Sequence, residues 1–247
     1  MQLHLSTWPE IEAYLQTSKA ILIPVGSTEQ HGPIGLLGTD ALCAEFLAKR
    51  AGDEGGFLVG PTFNVGQAQH HMGFAGTITL RPSTMIAAMT DWANSLRRHG
   101  FERIYWLNGH GGNVATINAA FSEIHHTTSL HPKSNEPALR CTMRNWWELA
   151  GVGEAIRDLF PTGEGNHATP SEISVTQYMF PALTKSAEMA VRIAPTGPIY
   201  DADDFRRRYP DGRIGSDPTL ANPEAGERLV DVAVRALVRE FRNFAVS

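Results

Sequence analysis

The chain has little cysteine: two thiols, Cys43 and Cys141, in 247 residues. They are too few and too far apart for a disulfide framework, and neither sits in a CxxC pair. A stapled secreted scaffold and a thiolate metal site are therefore not expected. No apolar run approaches the roughly 20 residues of a transmembrane helix. No leader-like stretch opens the sequence, because Met1 to Glu10 already carries polar residues and a helix start. A basic excess is missing too. Lys and Arg total 21 against 26 acidic residues, a net charge of −5, which leaves no electrostatic footprint for nucleic acid or an anionic membrane. Internal repeats, low-complexity tracts and divisive linkers are also absent. The expectation is one cytoplasmic domain over 1–247, with 42% hydrophobic residues to build its core.

What is present alternates between strands and helices. Thr7 and Glu10 form a capping box ahead of a helix to about Thr17. Ala20 to Val25 is a short, continuously apolar run, the pattern of a strand buried on both faces. Asp40 opens an amphipathic helix ending near Gly52. Phe57 to Asn64 reads as a second strand and Thr77 to Leu80 as part of another. Pro82 and Gly100 bracket a long helix. Arg103 to Leu107 is a strand, Val114 to about His126 the helix after it, and Leu139 to Arg144 a further strand. Thr169, Pro170 and Glu172 begin a helix to about Met179, and Asn222 to about Phe244 closes the chain. This alternation predicts a three-layer α/β/α architecture with a mostly parallel central sheet. The polar stretch 199–223 is long for a structureless connection, which suggests a flap or an oligomer contact.

Chemistry-bearing side chains gather where two of these strands end. After the first come Glu29, His31 and Asp40; after the strand at Arg103 comes Asn108-Gly109-His110-Gly111-Gly112-Asn113. Ligands in open α/β sheets bind at the carboxyl ends of strands. Oxygen and nitrogen donors without thiolate suit Zn, Mn or Fe(II) in a catalytic setting. Glu29 and His31 lie two apart and project to the same side of extended backbone. Taken alone, Asp40 reads as a helix N-cap. The glycines around His110 permit close approach of backbone to a ligand. A phosphate cradle is the competing reading there, but the Walker lysine and the G-x-G-x-x-G spacing are missing. Glu172 reads either as half of a capping box with Thr169 or as a ligand, with His167 beside it. His70 and His71 stand before a glycine-punctuated turn. A histidine pair in a loop is more often surface, as are His125, His126 and His131.

These segments together resemble the creatininase (creatinine amidohydrolase) family over most of the chain. The motif G-S-x-E-Q-H-G-P-H-L-P-L-x-T-D is matched by 26–40, with Ile34 in place of a histidine and Leu36 in place of a proline. N-G-H-G-G-N stands intact at 108–113. H-A-G-x-x-E-T-S is matched by 167–174, and H-M-G-F-P-G-T by 71–77. The resemblance implies two divalent metal ions, zinc first, then manganese or iron. Glu29 and His110 would bind one and His31 the other, with Asp40 bridging. Creatininase itself has a glutamate ligand at the Gly112 position, and Glu172 is the substitute expected here. His167 matches the proton-transfer histidine. His71, Gly111 and Trp147 would contact substrate, with Trp146 or Trp147 as flap aromatic. Ala68 stands where a serine often binds substrate, and 162–165 lacks the family's pocket tryptophan.

The implied activity is hydrolysis of a C–N bond, amide or cyclic amide, in a small molecule by activated water, creatinine being one such substrate. Deformylase or peptide-trimming branches of the family are the enzyme alternative; a silent metal- or ligand-binding protein is the non-enzyme one. A homo-oligomer, dimer or hexamer, follows from the resemblance.

Overall fold

The computed structural model describes residues 1–130 and 138–247; His131 lies outside them. Among the described residues three strands form one parallel sheet in the order β1 (Ala20–Val25), β2 (Arg103–Asn108), β3 (Arg140–Asn145). Ala20 pairs with Arg103 and Val25 with Asn108; Arg103 pairs with Arg140 and Asn108 with Asn145. All six residues of β1 are buried, as the unbroken apolar run requires of a strand covered on both faces.

The strand period of two sorts those side chains into two cores. Ala20, Leu22, Tyr105 and Leu107 pack with α2 (Thr39–Gly55), α5 (Val152–Leu159) and the long α8 (Pro223–Val246). Ile21, Ile23, Val25, Ile104 and Trp106 pack with α3 (Pro82–Arg98) and α4 (Val114–Leu130) on the other face. The result is three layers, α/β/α, as expected. α1 (Trp8–Tyr14), α6 (Pro170–Met179) and α7 (Ala202–Arg208) complete the described helices.

Three expectations need correction. Residues 57–64 make isolated bridges, Val59 to Leu22 and Phe63 to Val25, rather than a strand. Pro24 lacks an N–H, so the ladder from Leu22 N–H to the Leu58 carbonyl and Gly60 N–H to the Leu22 carbonyl has no next donor in β1. Residues 77–80 contribute one antiparallel bridge, Ile78 to Thr28. Asp40 is not an N-cap. Gly38 holds that position and makes no side-chain cap, while Asp40 sits inside the first turn of α2 with its carboxylate turned elsewhere. The sequence reading also passed over α5, and the stretch 199–223 contains α7.

Candidate metal centre

The loop after β1 and the loop after β2 are sewn together by asparagines. Asn113 Nδ2 donates to the Gly26 carbonyl at 3.0 Å, tying those two loops, and Asn108 Nδ2 donates to Asn145 Oδ1 at 2.7 Å, tying the ends of β2 and β3. Gly109 lets the β2 loop reach α2: a Cβ there would lie 2.1 Å from the Asp40 carbonyl oxygen. This close approach brings Glu29, His31, Asp40 and His110 into one buried space.

His31 Nε2 is 3.0 Å from Asp40 Oδ1 and 3.9 Å from Glu172 Oε2. His110 Nδ1 is 3.1 Å from Asp40 Oδ2, and its Nε2 is 3.3 Å from Glu29 Oε2. His31 Nδ1 lies 3.1 Å from the Glu29 carbonyl and His110 Nε2 lies 2.8 Å from that of Gln67. Carbonyls only accept, so these nitrogens carry the hydrogens. With the second proton of each ring removed, His31 Nε2 and His110 Nδ1 would be the nitrogens left to offer a lone pair, the outer-sphere arrangement typical of metal-binding histidines.

Two triads suited to an ion therefore share one residue: Glu29, Asp40 and His110, and His31, Asp40 and Glu172, each with ligand atoms within 4.8 Å of one another. A third triad joins Glu29, His31 and His167. Glu29 Oε1 and Asp40 Oδ2 are buried without a hydrogen-bond partner. Imidazole nitrogens stand 3.1 Å from both, yet out of line for a bond. Two buried carboxylate oxygens without a partner are acceptors that a cation could satisfy. Two carboxylate charges within 4.8 Å of one another repel by at least about 3.5 kcal/mol at an effective dielectric of about 20, a cost that a divalent cation would relieve. The donor set fits such an ion.

The local charges act together. Burial would lower His31, but the Asp40, Glu172 and Glu29 carboxylates outweigh it and push it up to about 10. His110 rises likewise to about 9, burial being overcome by Glu29 and Asp40. Burial raises Asp40, yet His31 and His110 hold it below the usual carboxylate range. His167 goes the other way: burial, His31 and His71 hold it well below 6.5, so it stays neutral.

Glu172 has the geometry for both roles that the sequence left open. Its Oε1 accepts from the Thr169 N–H at 2.6 Å, completing a true capping box, while Oε2 faces His31. His71 is not a surface residue. It is buried, with Nε2 3.1 Å from Glu29 Oε1. His125 and His126 are exposed, as expected. A cavity of about 790 Å³ opens from Asp40, His110 and Glu172; His71, Gly111, Trp146, Trp147 and His167 line it. Residues the sequence reading missed are Gln30, the asparagine stitches, Glu164 and Arg157. Gln30 is flanked by Glu29 and His31, but an uncharged amide there carries no chemical signal of its own. Glu164 also lines the cavity, and burial raises its carboxyl to about 7.

A parallel α/β sheet with two oxygen–nitrogen triads sharing a carboxylate at its strand ends defines a class, the α/β metalloenzymes. Comparison with known proteins narrows it. The creatininase (creatinine amidohydrolase) family matches residues 4–241, and the chain belongs to that family of C–N hydrolases. It is 28% identical to the creatinine amidohydrolase of Pseudomonas putida, over 96% of this chain and 94% of that protein. It is also 28% identical to a 3-dehydro-scyllo-inosose hydrolase of Thermotoga maritima, covering 96% and 81%. A mycofactocin precursor peptide peptidase of Mycobacterium ulcerans is 28% identical, covering 95% and 86%. Among solved structures, a creatininase variant complexed with creatine superposes with a TM-score of 0.85 at 25% identity, over 98% and 97% of the chains. None of the described helices is long and apolar enough to cross a membrane.

Proposed function

We propose that the protein hydrolyses an amide or cyclic-amide C–N bond of a small molecule with two divalent ions, zinc first, then manganese or iron. The observation that carries this reading is Asp40, whose two oxygens face His31 and His110 and so belong to both triads. Glu29, Asp40 and His110 would hold one ion; His31, Asp40 and Glu172 the other. The ions would supply Lewis acidity at the carbonyl and an acidified water as nucleophile.

The chain's own residues do the rest. Neutral His167, with Nδ1 3.7 Å from Glu29 Oε1, takes a proton at the site and hands it to the departing nitrogen. Trp147 and Gly111 form the wall against which substrate lies, and His71 backs Glu29. Residues 162–165 hold no tryptophan of the kind that the resemblance implies for the creatininase pocket. A cavity near 790 Å³ has room for a substrate larger than a single small ring.

The test is a panel of creatinine, formamidopyrimidine and short peptides, run on protein stripped by chelator and then reloaded with zinc or manganese. Metal-dependent release of amine from one of them is expected. Two bound ions with no hydrolysis across the panel would sink the reading in favour of a silent metal-binding protein.

A further inference from the structure

Gln30 lies between two of the proposed ligands, and its carboxamide contacts His71 and His167, histidines outside the two triads that share Asp40. Its orientation is fixed independently of them. The Gly32 N–H, which can only donate, points at Oε1 at 2.8 Å, so the other amide atom is the NH2 group. That nitrogen lies 2.9 Å from the Gly212 carbonyl, 2.8 Å from His71 Nδ1 and 2.9 Å from His167 Nε2. Two hydrogens face three neighbours.

The neighbours themselves settle the count. The Gly212 carbonyl only accepts and takes one hydrogen. His167 Nε2 lies 2.7 Å from the Gln30 carbonyl oxygen, which also only accepts, so that nitrogen bears a hydrogen and cannot receive another. The second amide hydrogen therefore goes to His71 Nδ1. His71 is then neutral with its hydrogen on Nε2, directed to the side of Glu29 Oε1, and has no lone pair there to offer an ion. His167 keeps its lone pair on Nδ1, the atom that faces Glu29.

Resting on the hydrolase reading above, we propose that Gln30 is a positioning residue: through its amide and its carbonyl it fixes the tautomers of His71 and His167, making Nδ1 of His167 the proton-handling atom and barring His71 from the metal shell. Thr77 Oγ1 holds the Gln30 N–H at 3.2 Å, and a Cβ on Gly212 would lie 1.9 Å from Gln30 Oε1, so the side chain has one seat.

The experiment is ¹⁵N NMR of the imidazoles in full-length protein loaded with zinc, which is diamagnetic, and in the same protein after chelation. Expected in wild type are hydrogen on Nε2 and none on Nδ1 for both His71 and His167. Hydrogen on Nδ1 of either ring overturns the proposal. Gln30→Glu replaces the NH2 donor by an acceptor and should draw the His71 hydrogen to Nδ1, with kcat falling about 10- to 100-fold and KM little changed, as for other outer-sphere partners. Unchanged tautomers in that variant also overturn it. If Gln30→Glu does not fold, Gln30→Met serves: His71 should then show a mixture of tautomers, and a single unaltered tautomer refutes the role. A protein without hydrolase activity would still give the wild-type spectrum, so failure of the enzymatic reading and failure of this one are told apart.

Discussion

His110 Nδ1 lies 3.1 Å from Asp40 Oδ2 without a hydrogen bond between them, although both atoms are buried. That misdirected pair makes Asp40 the most informative residue to change. Asp40→Ala should reduce bound metal from two ions per chain to one or none and cut turnover by about 10³-fold, equivalent to about 4 kcal/mol. Metal analysis by plasma mass spectrometry checks it. Full metal content in the variant would remove Asp40 as the shared ligand.

Glu172 allows its two tasks to be separated. Glutamine also serves at the third helical position of a capping box. Glu172→Gln should thus keep the thermal midpoint of the ion-free protein while weakening the second ion about 10- to 100-fold, the scale seen for lost metal-site partners. Glu172→Ala should weaken the ion similarly and also destabilise the ion-free protein by about 1 kcal/mol, the usual cost of a lost cap. Calorimetry with and without chelator distinguishes them. Equal metal affinity in both variants and wild type would leave Glu172 a cap alone.

The ion-free site should lose stability as pH rises. His31 and His110 have folded pKa values raised to about 10 and about 9, above the unfolded 6.5. Their contribution is fully present below about 6.5 and disappears as pH climbs through 9 to 10. Zinc needs the same nitrogens unprotonated, so its stabilisation grows over that interval. The gap in thermal midpoint between loaded and stripped protein should widen from pH 6 to pH 9.5. A constant gap contradicts the proton–metal competition.

Glu164 gives a second pH signature, away from the triads. Burial first, with the Glu172 charge adding to it against a hydrogen bond from Ser171 Oγ, raises this carboxyl from 4.5 to about 7. Its favourable contribution is present below about 4.5 and lost as pH passes 7. Glu164→Gln should raise the thermal midpoint by a few degrees at pH 8 and leave it nearly unchanged at pH 4.5. The same gain at both pH values would mean that charge is not the cause.

The sequence disclosed most where one physical signal dominated. β1 was legible because an unbroken apolar run flanked by polar residues has few other fates. The capping boxes at Thr7 and Thr169 marked their helices correctly. The segment 57–64 misled because its apolar character suits a strand, while Pro24 in its partner β1 denies the ladder its next hydrogen bond. Asp40 misled for the opposite reason: a carboxylate at a helix start satisfies a local rule, and only tertiary approach of His31 and His110 overrides it. The departure at Gly112 was visible, its physical meaning was not. A Cβ there would lie 2.3 Å from His110 Nε2, so this chain has no room for a side chain at the position where the resemblance to creatininase implied a glutamate ligand. Gln30 stayed silent because an uncharged amide between two expected ligands looks like spacing.

The pairing of Val25 with Asn108 and of Asn108 with Asn145 has one more consequence. Sliding β2 by a single step would carry His110 about 3.3 Å along the sheet and turn Tyr105 and Trp106 toward the wrong layers. Such a misaligned molecule would forfeit its aromatic packing and its cation nests in one stroke. Chemical competence and correct strand alignment are therefore verified by the same few bonds, and a chain folded out of step is inert by construction.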